Sequence, residues 1–375
     1  MGGCVVANRL SEIVNASVLL LEAGDQETFL SDVPLTAALT QITRYNWGYK
    51  SEPTPNACQG LKGGVCNWPK GRGVGGTSLI NFMLYSRGHR KDYNRWAALG
   101  NPGWSYEEVL PYFKKSENIG IEELSHSAYH GHKGPLDVRY SNYNTHLLKA
   151  FLKSGRELGY ELNDPNDKDY ADMEIVLGAG SLSGDHLGTM RDLLGITEDF
   201  YQHVFEGLHD KETFGLVPVL LRPRSTGRIS LRSKNPFHWP IMEPNFMQHP
   251  DDVRAMIEGI LKLAQTKSMR HLGTRFNARP FPGCEHEHFG STAYWQCCLR
   301  RYGSSLQHQS GTCKMGPSND PDAVVDAQLR VHGINRLRVI DASIMPTLPA
   351  GHTNAIVIMI AEKAADMIKH AWRMK

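Results

Sequence analysis

Apolar side chains open the chain at helical spacing: Val5, Val6, Leu10 and Ile13 recur every three to five residues, which predicts a helix. A continuous apolar run follows at residues 17–21 (SVLLL) and ends on Glu22, Ala23 and Gly24, the pattern of a buried strand. Amphipathic helices are expected over residues 106–115 and 145–158. Another is expected over 251–266, with Asp251 and Asp252 near its start and Met256, Ile260 and Leu263 on one face. Residues 226–245 (TGRISLRSKNPFHWPIMEPN) alternate and carry Pro and Asn punctuation, which predicts strands of an antiparallel sheet. Near the end, residues 337–340 (LRVI) predict a short strand closing on Asp341, and a long helix follows from about 354 to 369. Residues 163–172 (NDPNDKDYAD) are polar and turn-like and read as a linker or junction.

The opening helix, the apolar strand and its terminal acid match the second half of a dinucleotide-binding βαβ unit. Glu22 lies nineteen residues after Gly3, close to the roughly 20 that separate a glycine turn from its ribose-binding acid.

A length of 375 residues predicts two or three domains. Apolar content of 41% and charged content of 21% suit an ordinary globular protein with a core. The net charge is +2, from 41 basic and 39 acidic side chains mixed along the chain. No basic tract stands out, which argues against nucleic acid as a partner. No apolar run reaches the roughly 18 residues of a membrane span. The start MGGCVVANRL lacks the basic region and apolar stretch of a secretory signal. Of seven cysteines, Cys58 and Cys66 bracket a short Gly-rich loop suited to a disulfide, and Cys284 has Cys297 and Cys298 as candidate partners. Free thiols in a cytosolic enzyme are the other reading.

The chemistry concentrates in a few places. Gly71, Gly73, Gly75 and Gly76 let a backbone approach a ligand closely and turn N–H groups toward a phosphate. Thr77, Ser78 and Asn81 add polar groups, and the apolar Leu79, Ile80, Phe82, Met83 and Leu84 predict that this loop enters a core. His308 (in HQSGTCKMG) and His352 (in PAGHTNA) are candidate bases for an alcohol oxidation, in which a hydroxyl proton must leave. Asp341 ends a strand, and Thr353 and Asn354 open the last helix, where free N–H groups bind phosphate or the side chains simply cap. Residues 176–184 (VLGAGSLSG) mimic a dinucleotide turn without the following helix. Cys284, His286, His288, Cys297 and Cys298 match no standard zinc spacing, so no metal is expected.

Residues 71–94 (GRGVGGTSLINFMLYSRGHRKDYN) resemble the first signature, and the ending HQSGTCKMG … VIDASIMPTLPAGHTNAIVIMIAEKAADMIK the C-terminal catalytic segment, of the glucose–methanol–choline (GMC) family of FAD-dependent alcohol oxidoreductases. The Cys58/Cys66 pair and LLRPRSTGRISLRSKNP resemble insect members related to FAD/quinone glucose dehydrogenases. The resemblance implies an α/β (overall α+β) fold. A discontinuous, Rossmann-like FAD domain would come from residues 1–140 and 305–375. A substrate domain on an antiparallel sheet would come from 141–304, interrupted by the junction near 163–172. It implies His308 as the base, assisted by His352, with hydride passing to flavin N5 and quinone or oxygen as electron acceptor. Cofactor contacts are implied for Gly3, Glu22, Arg72, Gly73, Gly75, Gly76, Thr77, Asn81, Met83, Asp341, Ala342 and Asn354. The substrate would be a small alcohol or sugar. The resemblance suggests secretion, whereas this start leaves the cytosol open.

The chain also departs from the pattern. Only Gly3 matches the family's Gly-x-Gly-x-x-Gly, the first strand is missing, and the signature ending in Ser-Gly-Ile-Gly is absent. The missing strand belongs at the centre of the flavin sheet, so its neighbours are expected to lose partners. Two readings follow: a flavoenzyme, or a truncated non-catalytic product that does not retain FAD.

Overall fold

The most apolar helix of the chain, residues Thr353–Ala371, forms the centre of the main core. A helix apolar on nearly every side is stable only when surrounded. The structure is a computed structural model that describes residues 1–160, 170–260 and 266–373. Its helices are α1 (Gly2–Ser11), α2 (Ala37–Thr40), α3 (Arg90–Ala98), α4 (Tyr106–Ser116), α5 (His146–Glu157), α6 (Thr189–Leu194), α7 (Glu198–Phe205), α8 (Pro250–Ile260), α9 (Lys267–His271), α10 (Thr292–Tyr302) and α11 (Thr353–Ala371). The strands are β1 (Tyr49–Lys50), β2 (Asn67–Trp68), β3 (Glu117–Ile119), β4 (Leu136–Val138), β5 (Met173–Gly178), β6 (Gly215–Leu220), β7 (Arg228–Ser230) and β8 (Ile241–Glu243). Among the described residues they pair in twos: β3 with β4 in parallel, and β1–β2, β5–β6 and β7–β8 antiparallel.

Ile356, Met359 and Ile360 of α11 pack on Tyr93 and Trp96 of α3, on Val109 and Phe113 of α4, and on Met315, Ile344 and Met345. Capping boxes start the two helices that cover α11: His89 with Asp92 for α3, Ser105 with Glu108 for α4. Helix α1 is tied to α11 by Arg9, whose guanidinium grips buried Glu362 at 2.8 and 2.9 Å, with Lys115 3.3 Å from the same carboxylate. A bidentate, charge-assisted pair of this kind fixes orientation as well as attraction.

A second core gathers Ala57, Cys58, Leu61 and Cys66 against Phe200, Tyr201 and Val204 of α7. Cys58 and Cys66 form a disulfide, as do Cys284 and Cys297. The first bridged loop caps α10: N–H groups of Cys58, Gln59 and Gly60 donate to the carbonyls of Gly303, Arg300 and Arg301.

Helices α1, α4, α5 and α11 fall where the hydropathy pattern puts them. Helix α8 is described over Pro250–Ile260, as expected, and residues 261–265 of the expected helix, Leu263 among them, lie outside the described residues. The same holds for residues 163–169 of the junction. The expected antiparallel strands within 226–245 are β7 and β8, an isolated pair.

Two strands do not form. Residues 17–21 carry no β-bridge, and Leu19 and Leu21 are each 82% exposed. An apolar run becomes a strand only where a neighbour completes its ladder and covers a face, and no described segment pairs with this one. Residues 337–340 make one bridge, Arg338 with Arg330, because Leu329 and Arg336 turn through positive φ and end the pairing. The sheet of the Rossmann-like domain is therefore incomplete among the described residues, where the one pair of parallel strands is β3 and β4. The glycine-rich loop enters the core only in part: Ile80 is buried, whereas Phe82, Met83 and Leu84 are about half exposed.

Candidate active site

His308 and His352 come from separate stretches and meet. His308 follows α10 on a short irregular segment, and His352 is the residue that begins α11. The ring Nε2 of His308 lies 2.8 Å from His352 Nδ1, with the rings nearly perpendicular at 86° and their centroids 4.9 Å apart. His352 Nε2 is 3.3 Å from Glu174 Oε1 on β5, and Thr353 Oγ1 is 3.3 Å from His308 Nδ1.

This row fixes proton positions. A Glu174 carboxylate accepts only, so His352 carries its proton on Nε2 and accepts at Nδ1. His308 then donates from Nε2 and keeps its lone pair on Nδ1, beside the Thr353 hydroxyl. Burial, followed by the charges of His352 and Lys70, pushes His308 down to about 4 against the opposing pull of Glu174. The ring is therefore neutral at neutral pH.

The turn that carries His352 is anchored by buried Asp92. Its Oδ2 accepts the N–H of Ala350 at 3.0 Å and of His89 at 2.8 Å, and its Oδ1 accepts the Tyr170 hydroxyl. The His352 N–H donates to Ser86 Oγ at 2.7 Å. Thr353 and Asn354, expected as caps of α11, do not cap it: the N-cap is His352, without a side-chain bond.

The residues expected at the cofactor also converge. Asp25 and Gly73 form a parallel bridge, which lays the turn after Glu22 against Arg72 and Val74. Arg72 stacks on Trp47 at 4.8 Å. Gly75 adopts φ +107°, a left-handed conformation suited to glycine, and its carbonyl accepts the Met1 amino group at 2.6 Å. Burial lowers the affinity of that amino group for its proton, while Cys4, Glu22 and Asp341 act in the opposite direction. The start of α1, Gly75, Glu22 and Asp341 therefore share one neighbourhood. Glu22 accepts the N–H of Gly24 at 2.8 Å, Asp341 that of Ser343 at 2.8 Å, and Asn81 that of Met83 at 2.9 Å. The close approach of α1 falls on buried Gly2, where a Cβ would strike the Ile340 carbonyl, rather than on exposed Gly3. Ala342 opens the short turn after Asp341, and Thr77 Oγ1 accepts the Gly71 N–H at 3.2 Å.

A cleft of about 2500 Å³ has His308 in its wall, with Leu220, Phe246, Phe281, Tyr294 and Met345 among the lining residues. That exceeds the roughly 300–1,000 Å³ of a single small-ligand pocket. The dinucleotide mimic at 176–184 is the end of β5, Gly178 pairing with Gly215, followed by a short turn at Leu182–Gly184. The cysteine–histidine set is not a thiolate cluster. Cys284 and Cys297 are bridged, and burial pushes the Cys298 thiol up to about 11, against hydrogen bonds with Tyr294 and its own backbone.

Sequence reasoning missed Glu174, Asp92 and Lys70. Glu174 sits in an apolar strand next to the junction with no local motif, and its partner lies 178 residues away. Asp92 had a signal, the spacing of a capping box after His89.

Sequence models of the N- and C-terminal parts of the GMC oxidoreductases match residues 13–194 and 223–361. The chain belongs to the GMC oxidoreductase family. Among its relatives, the glucose dehydrogenase (FAD, quinone) of Drosophila melanogaster is 31% identical, covering 100% of this chain and 86% of the relative. The mitochondrial choline dehydrogenase of Mus musculus is 28% identical over 98% of this chain and 87% of its own length. The first alignment extends over 537 residues against the 375 of this chain, so a large block of the relative has no counterpart here. Among solved structures, pyridoxine 4-oxidase from Mesorbium loti matches with a TM-score of 0.72 at 23% identity, covering 98% of this chain and 97% of the other. Formate oxidase matches with a TM-score of 0.78 at 17% identity, covering 99% and 97%. These likenesses establish the GMC fold.

Proposed function

We propose that this chain oxidises the CH–OH group of a small alcohol or sugar with FAD as cofactor and His308 as the base. The observation that carries the reading is the row Glu174–His352–His308 ending on a neutral imidazole in the wall of the cleft. The substrate hydroxyl gives its proton to His308, and the hydrogen on the same carbon leaves with its electron pair, giving the carbonyl product. FAD, when bound, supplies the acceptor for that hydride. His352 accepts from the imidazolium that forms on His308, and Glu174 holds His352 in the tautomer able to do so. The Thr353 hydroxyl lies 3.3 Å from the basic nitrogen, Nδ1, and gives way to the substrate hydroxyl there.

The residues present fit an FAD. The start of α1 with Gly3 suits the pyrophosphate, Glu22 the adenosine ribose, and the loop Arg72, Gly73, Gly75, Gly76 and Thr77 through Asn81 and Met83 the flavin. Asp341, Ala342 and the start of α11 at Asn354 suit the phosphate or ribityl region. Their convergence on one neighbourhood supports this. Quinone or oxygen would take the electrons onward. Two disulfides support an oxidising compartment, hence secretion. Among the described residues no helix is long and apolar enough to cross a membrane.

A second reading, a product that keeps these residues without retaining FAD, is favoured by the unpaired, exposed residues 17–21. Turnover of FAD-incubated protein on a panel of alcohols and sugars separates the two. Anaerobic reduction of a quinone or dye, compared with peroxide release in air, identifies the acceptor. No turnover on any substrate with either acceptor removes the first reading.

A further inference from the structure

We propose that Lys70 is a positioning residue for the base, gripping the backbone on one side of His308 and a side chain on the other. The proposal rests on the reading of His308 as the base. Lys70 Nζ donates to the Gln307 carbonyl at 3.2 Å and to Gln309 Oε1 at 2.7 Å, so one ammonium brackets His308.

The grip has something to hold. Gln307 sits at φ +68°, a left-handed conformation that a residue with a side chain adopts only when its surroundings impose it. Its N–H donates to Ser305 Oγ at 2.9 Å, and Gln309 Nε2 donates to the same oxygen at 3.1 Å. Lys70 supplies the remaining restraint, on the carbonyl.

Lys70 is itself fixed. Its N–H donates to Asn46 Oδ1 at 3.0 Å and its carbonyl accepts from Trp47 at 2.9 Å. It directly precedes the glycine loop at Gly71. Gln41 adds a parallel link, donating to the Ile80 carbonyl at 2.6 Å and accepting from Gln307 Nε2 at 3.4 Å. The cofactor loop and the base are thereby held in register through Lys70, and a shift of one is carried to the other.

The ammonium also acts on the proton of His308. The titratable and charged groups that face this imidazole are His352, at its Nε2, Glu174 behind His352, and Lys70; the Thr353 hydroxyl is the neutral neighbour. Among them Lys70 and His352 disfavour protonation and Glu174 favours it. Burial lowers Lys70 to about 8, so it is mostly charged at neutral pH.

The test is histidine NMR on the full chain, labelled at the imidazole carbons, with His308→Gln assigning the His308 signal. Lys70→Met is expected to raise the His308 titration midpoint by about one pH unit, as removal of a nearby like charge does. Lys70→Arg keeps the charge and is expected to leave the midpoint in place. The signals of the other histidines report whether each variant is folded. Should Lys70→Met fail to fold, Lys70→Gln, which keeps a donor and loses the charge, is expected to show the same rise. In turnover, the acid limb of kcat moves upward in the neutral variants while KM holds. A His308 midpoint that stays in place in the folded neutral variant overturns the proposal. The NMR reading needs neither FAD nor substrate, so it stands even where alcohol oxidation fails. Conversely, turnover abolished by His308→Ala alongside an unmoved midpoint sinks Lys70 alone.

Discussion

His308 Nε2 and His352 Nδ1 stand 2.8 Å apart although 44 residues separate them, and Glu174 on β5 closes the row 3.3 Å from His352 Nε2. Each imidazole has one nitrogen committed to its neighbour. The basic lone pair of the row is therefore set by the carboxylate at its far end.

Removing the base tests this row at its head. His308→Ala is expected to lower kcat by roughly 10²–10⁴ while leaving FAD affinity near that of the parent chain. Steady-state kinetics alongside a flavin titration separates the two effects. A loss of affinity equal to the loss of rate would place His308 in cofactor binding instead.

Glu174→Gln keeps the shape and removes the charge. A hydrogen bond to a charged group is worth about 1.5–3 kcal/mol, so kcat is expected to fall roughly 10- to 100-fold. The amide has donors of its own, which lets His352 settle in the other tautomer. Unchanged kcat in this variant would separate Glu174 from the proton path.

The depressed His308 value has a defined sign. Its folded-state value of about 4 lies below the ordinary 6.5 of histidine. Above pH 6.5 both folded and unfolded chains hold it neutral, and it has no effect on stability. Between 6.5 and 4 the unfolded chain takes up a proton that the folded chain refuses, so stability falls with pH. Relative to His308→Gln, the parent chain should lose up to about 2 kcal/mol between pH 7 and pH 5, read by urea unfolding at both pH values. The acid limb of kcat, where protonation removes the base, is expected near pH 4. An equal pH dependence of unfolding in both chains would remove the depressed titration from the account.

The exposed apolar run and the central helix should respond oppositely to substitution. Leu19→Lys is expected to change stability by no more than about 0.5 kcal/mol, since Leu19 is 82% exposed. Ile360→Ala in α11, fully buried, is expected to cost about 2–5 kcal/mol. Thermal unfolding of both variants checks the contrast, and a large cost at Leu19 would mean that residues 17–21 are a covered strand after all.

That contrast also marks what the sequence could convey. The helical periodicities near 106, 145 and 354 coincide with α4, α5 and α11; α4 buries Tyr106, Val109 and Phe113 at helical spacing, whereas α5 fully buries only Ser154. The two histidines were legible from their motifs, and the glycine loop from its composition. Residues 17–21 were not, since whether SVLLL is a strand depends on a neighbour that its own residues do not encode. Glu174 and Lys70 escaped for a related reason: each acts on a residue more than 170 positions away. Gly2 rather than Gly3 takes the close packing, because the geometry of α1 against Ile340 decides which of two adjacent glycines faces inward.

The account stands most directly on one spectrum. The purified chain is incubated with excess FAD, freed of unbound cofactor, and its visible absorption recorded before and after anaerobic addition of an alcohol or sugar that turns over. The account predicts a retained flavin band that bleaches with substrate in the parent chain, and the same band without bleaching in His308→Ala. A colourless parent protein, or equal bleaching in both, would contradict it.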